Sequence, residues 1–250
     1  MDDQPGSAHW VVTGPPGAFP VKASNEEAWS AETPTHIQIA ESNLEMPAGY
    51  FFSKRIIDVV GALILAAVFS PILLVVIVSL RRDGGDILFR HTRIGRNGKT
   101  FKVYKFRTMV PNAAEVLRDL IAANSELREE WLRDHKLRND PRVTTMGGFL
   151  RRASLDELPQ LWNVLKGEMS LVGPRPIIRE ELCKYGRAAR YYLAVKPGLT
   201  GIWQVSGRND TDYRRRVAMD RHYACTASLK TDLVVLVKTV DVVLRRRGAY

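Results

Sequence analysis

The stretch "VVGALILAAVFSPILLVVIVSL", residues 59–80, contains 22 residues and no charge. As a single helix it would reach ~33 Å, and the hydrocarbon core of a bilayer is ~30 Å thick. The core helix of a soluble protein seldom runs so far without a charged side chain. The stretch therefore favours a membrane element over a buried core helix.

A serine–proline pair divides this stretch near its midpoint. Pro71 has no amide hydrogen, so the carbonyl of Ala67 loses its helical partner and the helix is expected to kink. The Ser70 hydroxyl can satisfy one freed carbonyl. Each arm would then measure ~15–18 Å, about half a bilayer.

Both flanks of the stretch are basic, with Lys54 and Arg55 before it and Arg81 and Arg82 after it. Positively charged flanks favour the cytoplasm. The pattern predicts a re-entrant helix–break–helix anchor that enters and leaves by the cytoplasmic face. The alternative is a kinked helix that spans the membrane.

Charge is unevenly distributed along the 250 residues, whose net charge is +10. Residues 1–49 carry −6, and the rest of the chain therefore carries +16. Such a basic body favours anionic partners, namely nucleic acid, anionic lipid or phosphorylated small molecules. The two cysteines lie far apart, which indicates a reducing compartment, and the five scattered histidines argue against a zinc site.

The first 49 residues hold six of the 13 prolines and show no sustained hydrophobic period. This composition predicts a disordered acidic tail. The opening "MDDQPG" lacks an apolar core, so we expect no secretory signal peptide there.

The stretch 87–109, "ILFRHTRIGRNGKTFKVYKFRTM", predicts a β-hairpin that turns at Asn97–Gly98. Lys105 and Arg107 would share a strand face with Phe101 and Val103, where they could hold a phosphate or simply be solvated. Residues 111–137 predict one charged helix, and residues 139–152 predict a turn leading to a short helix. Residues 228–247 predict an amphipathic helix that packs on the body or lies at the membrane interface.

The stretch 151–165, "RRASLDELPQLWNVL", carries two adjacent carboxylates, Asp156 and Glu157. Ser154 and Glu157 form the S-x-x-E pattern of a capping box before an apolar helical stripe. From these residues alone, the pattern favours a helix cap over chemistry.

Two further stretches hold candidate binding residues. In "GEMSLVGPRP" (167–176), Pro174 and Pro176 would hold Arg175 in a stiff, extended setting, where it can grip phosphate or form an ordinary surface turn. "KPGLTGIWQVSGRND" (196–210) predicts a glycine-rich loop that contains Gln204 and Arg208. Such loops can cradle phosphate, but this one matches neither common nucleotide-binding pattern.

Together, these pieces resemble one family, the bacterial sugar transferases, also called monotopic polyprenyl-phosphate phosphoglycosyl transferases. The resemblance covers about residues 50–250. It rests on several motifs in a fixed order: "KRIID" (54–58), the Ser70–Pro71 pair, "VYKFRTM" (103–109), "NDPRVT" (139–144), "RRASLDELPQLWNVLKGEMSLVGPRP" (151–176), "KPGLTGIWQVSGR" (196–208) and "SLKTDLVVLVKT" (228–239).

The resemblance implies a reaction. A UDP-sugar gives its sugar-1-phosphate to polyprenyl (undecaprenyl) phosphate, UMP leaves, and the lipid-linked sugar begins an exopolysaccharide or another surface glycan. It also implies Mg²⁺ as the cofactor and a catalytic domain on the cytoplasmic face of the bacterial inner membrane. Galactose and glucose are the leading sugars, and N-acetylated sugars stay open.

The resemblance also assigns roles to residues. Asp156 would be the nucleophile, Glu157 would bind magnesium together with Asp156, and Arg151 would clamp a phosphate. Arg175 would contact the nucleotide. The remaining candidates for the substrate pocket are Lys105, Arg107, Pro174, Pro176, Gln204 and Arg208.

The expected fold is α+β and mainly helical, with a β-hairpin and amphipathic helices around a cytoplasmic catalytic core. The expected organisation is a disordered tail (1–49), a re-entrant anchor (50–82) and a phosphoglycosyl transferase domain (83–250). Two other functions stay open, a glycosyltransferase that releases UDP and a non-enzymatic basic membrane scaffold. No nucleic-acid-binding signature appears in the sequence, so we expect no nucleic-acid partner.

Overall fold

The computed structural model describes residues 10–11, 21–22, 49–134, 137, 139–207 and 211–245. These residues are mainly helical with small two-stranded sheets, so the predicted fold class is confirmed at that level. Residues 1–40 and 41–250 form separate units. In the first unit, strand β1 (Trp10–Val11) pairs antiparallel with β2 (Val21–Lys22). The rest of the predicted tail, apart from Gly49, lies outside the described residues, and its disorder stays a prediction.

The described part of the second unit contains one long helix, several short helices and two pairs of strands. Its strands are β3 (Leu88–Ile94), β4 (Thr100–Phe106), β5 (Ser170–Val172) and β6 (Gly198–Thr200). Its helices are α1 (Tyr50–Arg82), α2 (Ala113–Ala123), α3 (Ser125–Asp134), α4 (Thr145–Arg152), α5 (Gln160–Lys166), α6 (Arg179–Tyr185), α7 (Ala189–Ala194), α8 (Ile202–Val205), α9 (Tyr213–Thr226) and α10 (Leu229–Leu244). Strands β3 and β4 are antiparallel, and β5 and β6 are parallel.

Helix α1 has the bounds predicted for the anchor, and an 18-residue window within it has a mean hydropathy of 2.9 with only 11% buried. Pro71 lies inside the helix, and the Ser70 hydroxyl donates to the Ala67 carbonyl at 2.8 Å. That is the carbonyl expected to lose its partner. The helix continues through Pro71, so there is no gap between two separate helices. The re-entrant course through a membrane stays a prediction.

The two ends of α1 pack on the same body, and between them one side of the helix is exposed. Near the first end, Ala62 is buried in a core that includes Leu171, and a Cβ on Gly61 would meet the Leu171 side chain at 2.6 Å. Near the other end, Leu80 is buried with Phe106. Between them lie apolar side chains that are more than half exposed, namely Leu63, Ile64, Val68, Leu74 and Val75. This pattern is typical of a membrane-associated helix that is held at both ends.

A buried ionic network fastens the start of α1 to the body. The Lys54 ammonium lies 3.1 Å from Asp58 and 3.4 Å from Asp232 of α10. Asp58 also accepts hydrogen bonds from the Ser170 hydroxyl and the Leu171 amide of β5, both at 3.0 Å. Asp58 is 1% exposed. Because a buried charge is costly without partners, these contacts fix α1 against β5 and α10.

The predicted hairpin is confirmed. Strands β3 and β4 pair from Leu88 opposite Phe106 to Ile94 opposite Thr100, and the turn contains Asn97 at φ 58°. On the free edge of β4, the Asn163 side chain of α5 accepts from the Tyr104 amide at 3.2 Å and donates to the Lys102 carbonyl at 2.8 Å. This fully buried side chain makes the hydrogen bonds that a neighbouring strand would make, and it fixes α5 beside β4.

Two helical predictions have opposite outcomes. The single helix predicted for 111–137 is wrong, because the chain breaks at Asn124, whose side chain accepts from the amides of Glu126 and Leu127 and begins α3. The predicted C-terminal helix is confirmed as α10, which starts at the cap Ser228. It packs through Val235, while Leu233, Val237 and Val240 on other sides of the helix are at least 60% exposed.

We expect Asp58→Ala to lower the free energy of unfolding by about 3–5 kcal/mol, because it leaves buried donors without their acceptor. The measurement is denaturant unfolding in detergent micelles. The matched control is Asp241→Ala, which removes another i,i+4 pair, with Arg245, whose side chains are 49% and 58% exposed. We expect the control to cost less than about 1 kcal/mol. Equal losses in the two variants would contradict a special role for the Asp58 network.

Candidate active site

The end of β4 and the start of α4 are in direct backbone contact. The Thr144 amide donates to the Thr108 carbonyl at 3.1 Å, and a Cβ on Gly147 would overlap that same carbonyl. Thr144 also caps α4 by accepting from the Gly147 amide. At the other end of α4, the Arg151 guanidinium donates to the Thr108 hydroxyl at 2.9 Å. These contacts place Arg151 beside the strand that carries Lys105.

The two adjacent carboxylates lie in a 3-10 turn, Leu155–Glu157, and not in the first turn of an α-helix. The predicted capping box is wrong, because the Ser154 side chain makes no cap hydrogen bond and α5 begins only at Gln160. Ser154 has a left-handed φ of 56°. Residues other than glycine rarely adopt this conformation, and they concentrate at functional sites when they do.

Lys105 joins the two carboxylates into one charged cluster. Its ammonium lies 2.6 Å from Glu157 Oε1 and 3.9 Å from Asp156 Oδ2. The Asp156 side chain is 14% exposed and the Glu157 side chain 31%. Burial raises the pKa of Asp156, and the charges of Lys105 and Arg151 oppose that rise. The cluster therefore combines a mostly buried carboxylate with two nearby cations, which are suited to a phosphate group.

The other predicted site residues lie in different places. Arg107 donates to the Leu80 carbonyl at 3.3 Å, so it contacts the end of α1. The Arg175 guanidinium lies 5.8 Å from the centre of the Trp203 ring, between the buried Pro174 and Pro176. The side-chain oxygen of Gln204 is buried and has no hydrogen-bond partner in the described structure. Arg208 lies outside the described residues.

The glycine-rich stretch does not form a simple phosphate-cradling loop. It contains strand β6 and the short helix α8. Gly198 donates to the Pro174 carbonyl at 2.7 Å, and a Cβ on Gly198 would overlap the backbone of Gly173. Gly201 approaches Gly173 equally closely. These glycines allow two backbone segments to touch and so hold Arg175 in place.

Two arginines that the sequence did not single out, Arg216 and Arg93, lie near Arg175. The Arg216 guanidinium lies 4.7 Å from the centre of the Trp203 ring, and two of its nitrogens are buried without a hydrogen-bond partner in the described structure. Burial and the charge of Arg175 lower the pKa of Arg93 on β3. Arg216 is one of three consecutive arginines, so its position in sequence does not distinguish it from its neighbours.

A model of the family described as "Bacterial sugar transferase" matches residues 49–246. The chain belongs to this family.

Several curated relatives of this sugar transferase are about half identical to it. An uncharacterized sugar transferase of Haemophilus influenzae is 54% identical over 79% of this chain and 42% of its own length. The undecaprenyl-phosphate galactose phosphotransferase of Salmonella typhimurium is 52% identical over 80% of this chain and 42% of its own. The exopolysaccharide production protein ExoY of Rhizobium meliloti is 47% identical over 88% of this chain and 97% of its own. The chain thus spans less than half the length of the first two relatives.

The candidate metal ligands of the sugar transferase are Asp156 and Glu157. Among the described residues, no group of three or more histidine, cysteine, aspartate or glutamate side chains could hold a metal ion. Magnesium does not need one, because it commonly binds one or two carboxylates together with phosphate oxygens and water. The adjacent carboxylates fit that donor set once Glu157 leaves its ion pair with Lys105.

Lys105→Gln in the sugar transferase should raise the pKa of Asp156, because it removes a positive charge that favours the ionised carboxylate. The measurement is a ¹³C NMR titration of the Asp156 carboxyl group, assigned by its loss in Asp156→Asn. The control is Lys102→Gln on the same strand, whose side chain is exposed, and its midpoint should equal that of the wild type. A midpoint in Lys105→Gln that is unchanged or lower would contradict the electrostatic coupling.

Proposed function

We propose that this protein transfers a sugar-1-phosphate from a UDP-sugar to polyprenyl phosphate and releases UMP. The observation that carries the proposal is the Asp156–Glu157 pair, which lies beside Lys105 and Arg151 on a body that holds both ends of an exposed apolar helix. A phosphate-handling site next to a membrane helix suits a reaction between a soluble nucleotide sugar and a lipid phosphate. The names of the Salmonella and Rhizobium relatives support this reaction and an exopolysaccharide product.

The reaction would proceed in two displacements. A carboxylate oxygen of Asp156 attacks the phosphorus that carries the sugar, the bond from this phosphorus to the bridging oxygen breaks, and UMP leaves with that electron pair. A phosphate oxygen of the polyprenyl phosphate then attacks the same phosphorus. The bond to Asp156 breaks, the carboxylate is restored, and the sugar ends on a lipid diphosphate.

The surroundings of Asp156 suit the first displacement. Burial makes the carboxylate a better nucleophile by removing water, and Lys105 and Arg151 oppose its protonation. The same two cations would bind the anionic phosphate oxygens. A bound magnesium ion would neutralise negative charge on the diphosphate. Asp156 and Glu157 would hold it, and Lys105 would then be free to bind the substrate.

The nucleotide would lie towards Arg175, Arg216 and Trp203. Arg216 offers buried nitrogens without partners, and both arginines lie against the Trp203 ring. Guanidinium groups bind phosphate through paired hydrogen bonds, and the buried Trp203 ring would hold both of these in position. Arg208 is a further candidate for this pocket, while Arg107 lies at the end of the anchor helix and would help to position it.

The anchor would be re-entrant, with the catalytic body on the cytoplasmic face of the inner membrane. A 33-residue helix reaches about 50 Å, so a straight spanning helix would place its ends on opposite sides of the bilayer. Yet Lys54 and Asp58 near one end and Leu80 at the other contact a single body. The Ser70–Pro71 pair would let the helix turn within the membrane, and the exposed apolar side chains of α10 would lie at the interface.

The reaction is tested by incubating purified enzyme, magnesium and polyprenyl phosphate with each of several UDP-sugars. We expect UMP release with UDP-galactose or UDP-glucose, the galactose donor being favoured by the name of the Salmonella relative. Release of UDP would instead establish a glycosyltransferase that moves the sugar without its phosphate. Absence of turnover with every donor would favour a non-enzymatic scaffold.

The nucleophile is tested by Asp156→Asn, which should lower turnover by roughly 10³-fold or more because it removes the attacking oxygen charge. A UDP-sugar labelled in the sugar, given without polyprenyl phosphate, should label the wild type and leave the variant unlabelled. The control is Asp86→Asn, an exposed carboxylate near the end of the anchor, which should label normally. Labelling of Asp156→Asn at the wild-type level would reject the covalent step.

A further inference from the structure

A small cavity lies where the anchor helix begins, between α1, the hairpin turn and the segment before β6. It encloses about 70 Å³, the size of a single phosphate group, and its lining includes Lys54, Arg55, Arg96 and Lys196. Asp58 is the one carboxylate in the lining. The cavity therefore has three more cationic than anionic side chains around it.

The cations around this cavity differ in their hydrogen-bond and ionic partners. Lys54 is paired with Asp58, and Arg55 donates to the Val164 and Leu165 carbonyls, both at 2.6 Å. Arg96, by contrast, has a buried Nε without a partner in the described structure.

Lys196 is the second poorly satisfied cation. It is half-buried, and burial together with the charge of Arg55 lowers its pKa. An anion in the cavity would offset the repulsion between Lys196 and its neighbours and would supply an acceptor to Arg96.

The position of the cavity suggests the source of that anion. Arg96 stacks on the Phe51 ring at 4.3 Å, and Phe51 and Phe52 are 43% and 73% exposed. These aromatic side chains begin the exposed apolar surface of α1. A cationic cavity beside exposed aromatic side chains, at the start of an apolar helix, matches the headgroup region of a membrane.

The cavity is distinct from the site at Asp156. Arg55, which lines it, contacts the last residues of α5, whereas Asp156 precedes the first residue of that helix. The seven residues of α5 therefore separate the two places by about 10 Å along the helix axis.

We propose that this cavity binds the phosphate of an anionic phospholipid headgroup and so holds the start of the anchor helix at the membrane surface. Lys196 and Arg96 would donate to the phosphate oxygens, and Phe51 would contact the glycerol and upper chain region. This site adds to the proposed function and does not depend on it, because lipid binding can be measured on a protein that turns over no substrate.

The test uses the full chain in maltoside micelles, with binding of dihexanoyl phosphatidylglycerol followed by tryptophan fluorescence or thermal stability. We expect Lys196→Gln and Arg96→Gln each to raise the Kd for this lipid at least about tenfold, because each variant loses one charge-assisted hydrogen bond. Lys196→Arg should retain binding, which separates loss of charge from loss of fold. The matched control is Lys99→Gln, an exposed cation in the same hairpin turn that does not line the cavity.

Two further ligands identify the source of the phosphate. Dihexanoyl phosphatidylcholine carries the same phosphate with a compensating positive charge, and inorganic phosphate carries no apolar part. We expect both to bind more weakly than dihexanoyl phosphatidylglycerol. Equal affinity for inorganic phosphate would overturn the lipid assignment in favour of a soluble anion, and equal binding by wild type and Lys196→Gln would overturn the site itself.

Discussion

The buried contacts of Asp58 join the membrane helix to the catalytic body, and the position of everything else follows from that junction. Asp58 binds Lys54 within α1 and reaches the Ser170 hydroxyl and the Leu171 amide of β5. Lys54 extends the network to Asp232 of α10. A charged group with 1% exposure needs all of its partners, so these contacts fix the start of α1 against β5 and α10.

The candidate site depends on this junction through one short chain of contacts. Arg55, next to Lys54, binds the carbonyls that end α5, and Asn163 of α5 binds the free edge of β4. Lys105 on β4 in turn binds Glu157 just before α5. The dyad is thus tied to the start of the anchor through one helix and one strand. A lipid phosphate bound by Arg96 and Lys196 would add a further link, from the membrane surface to the same junction.

The features that the sequence predicted correctly are local ones. The long helix α1 follows from the uncharged run 59–80, the bond from Ser70 to Ala67 follows from the chemistry of proline, and the hairpin follows from Asn97–Gly98. The capping-box error arose because a distant residue competed with a local pattern. Glu157 fits a capping box with Ser154, but Lys105, 52 residues away, binds it instead. The role of Arg216 was equally hidden, because only the fold brings it to Trp203.

We propose that both ends of α1 lie on the same side of the membrane, so that Asp156 faces the cytoplasm at headgroup height. The most direct measurement is thiol labelling of single cysteines at Gly49 and Asp83, introduced after the exposed Cys183 and Cys225 are replaced by serine. A membrane-impermeant maleimide should label neither position in intact spheroplasts and both in inverted membrane vesicles. Labelling of either position from the outside would establish a spanning helix and contradict the account.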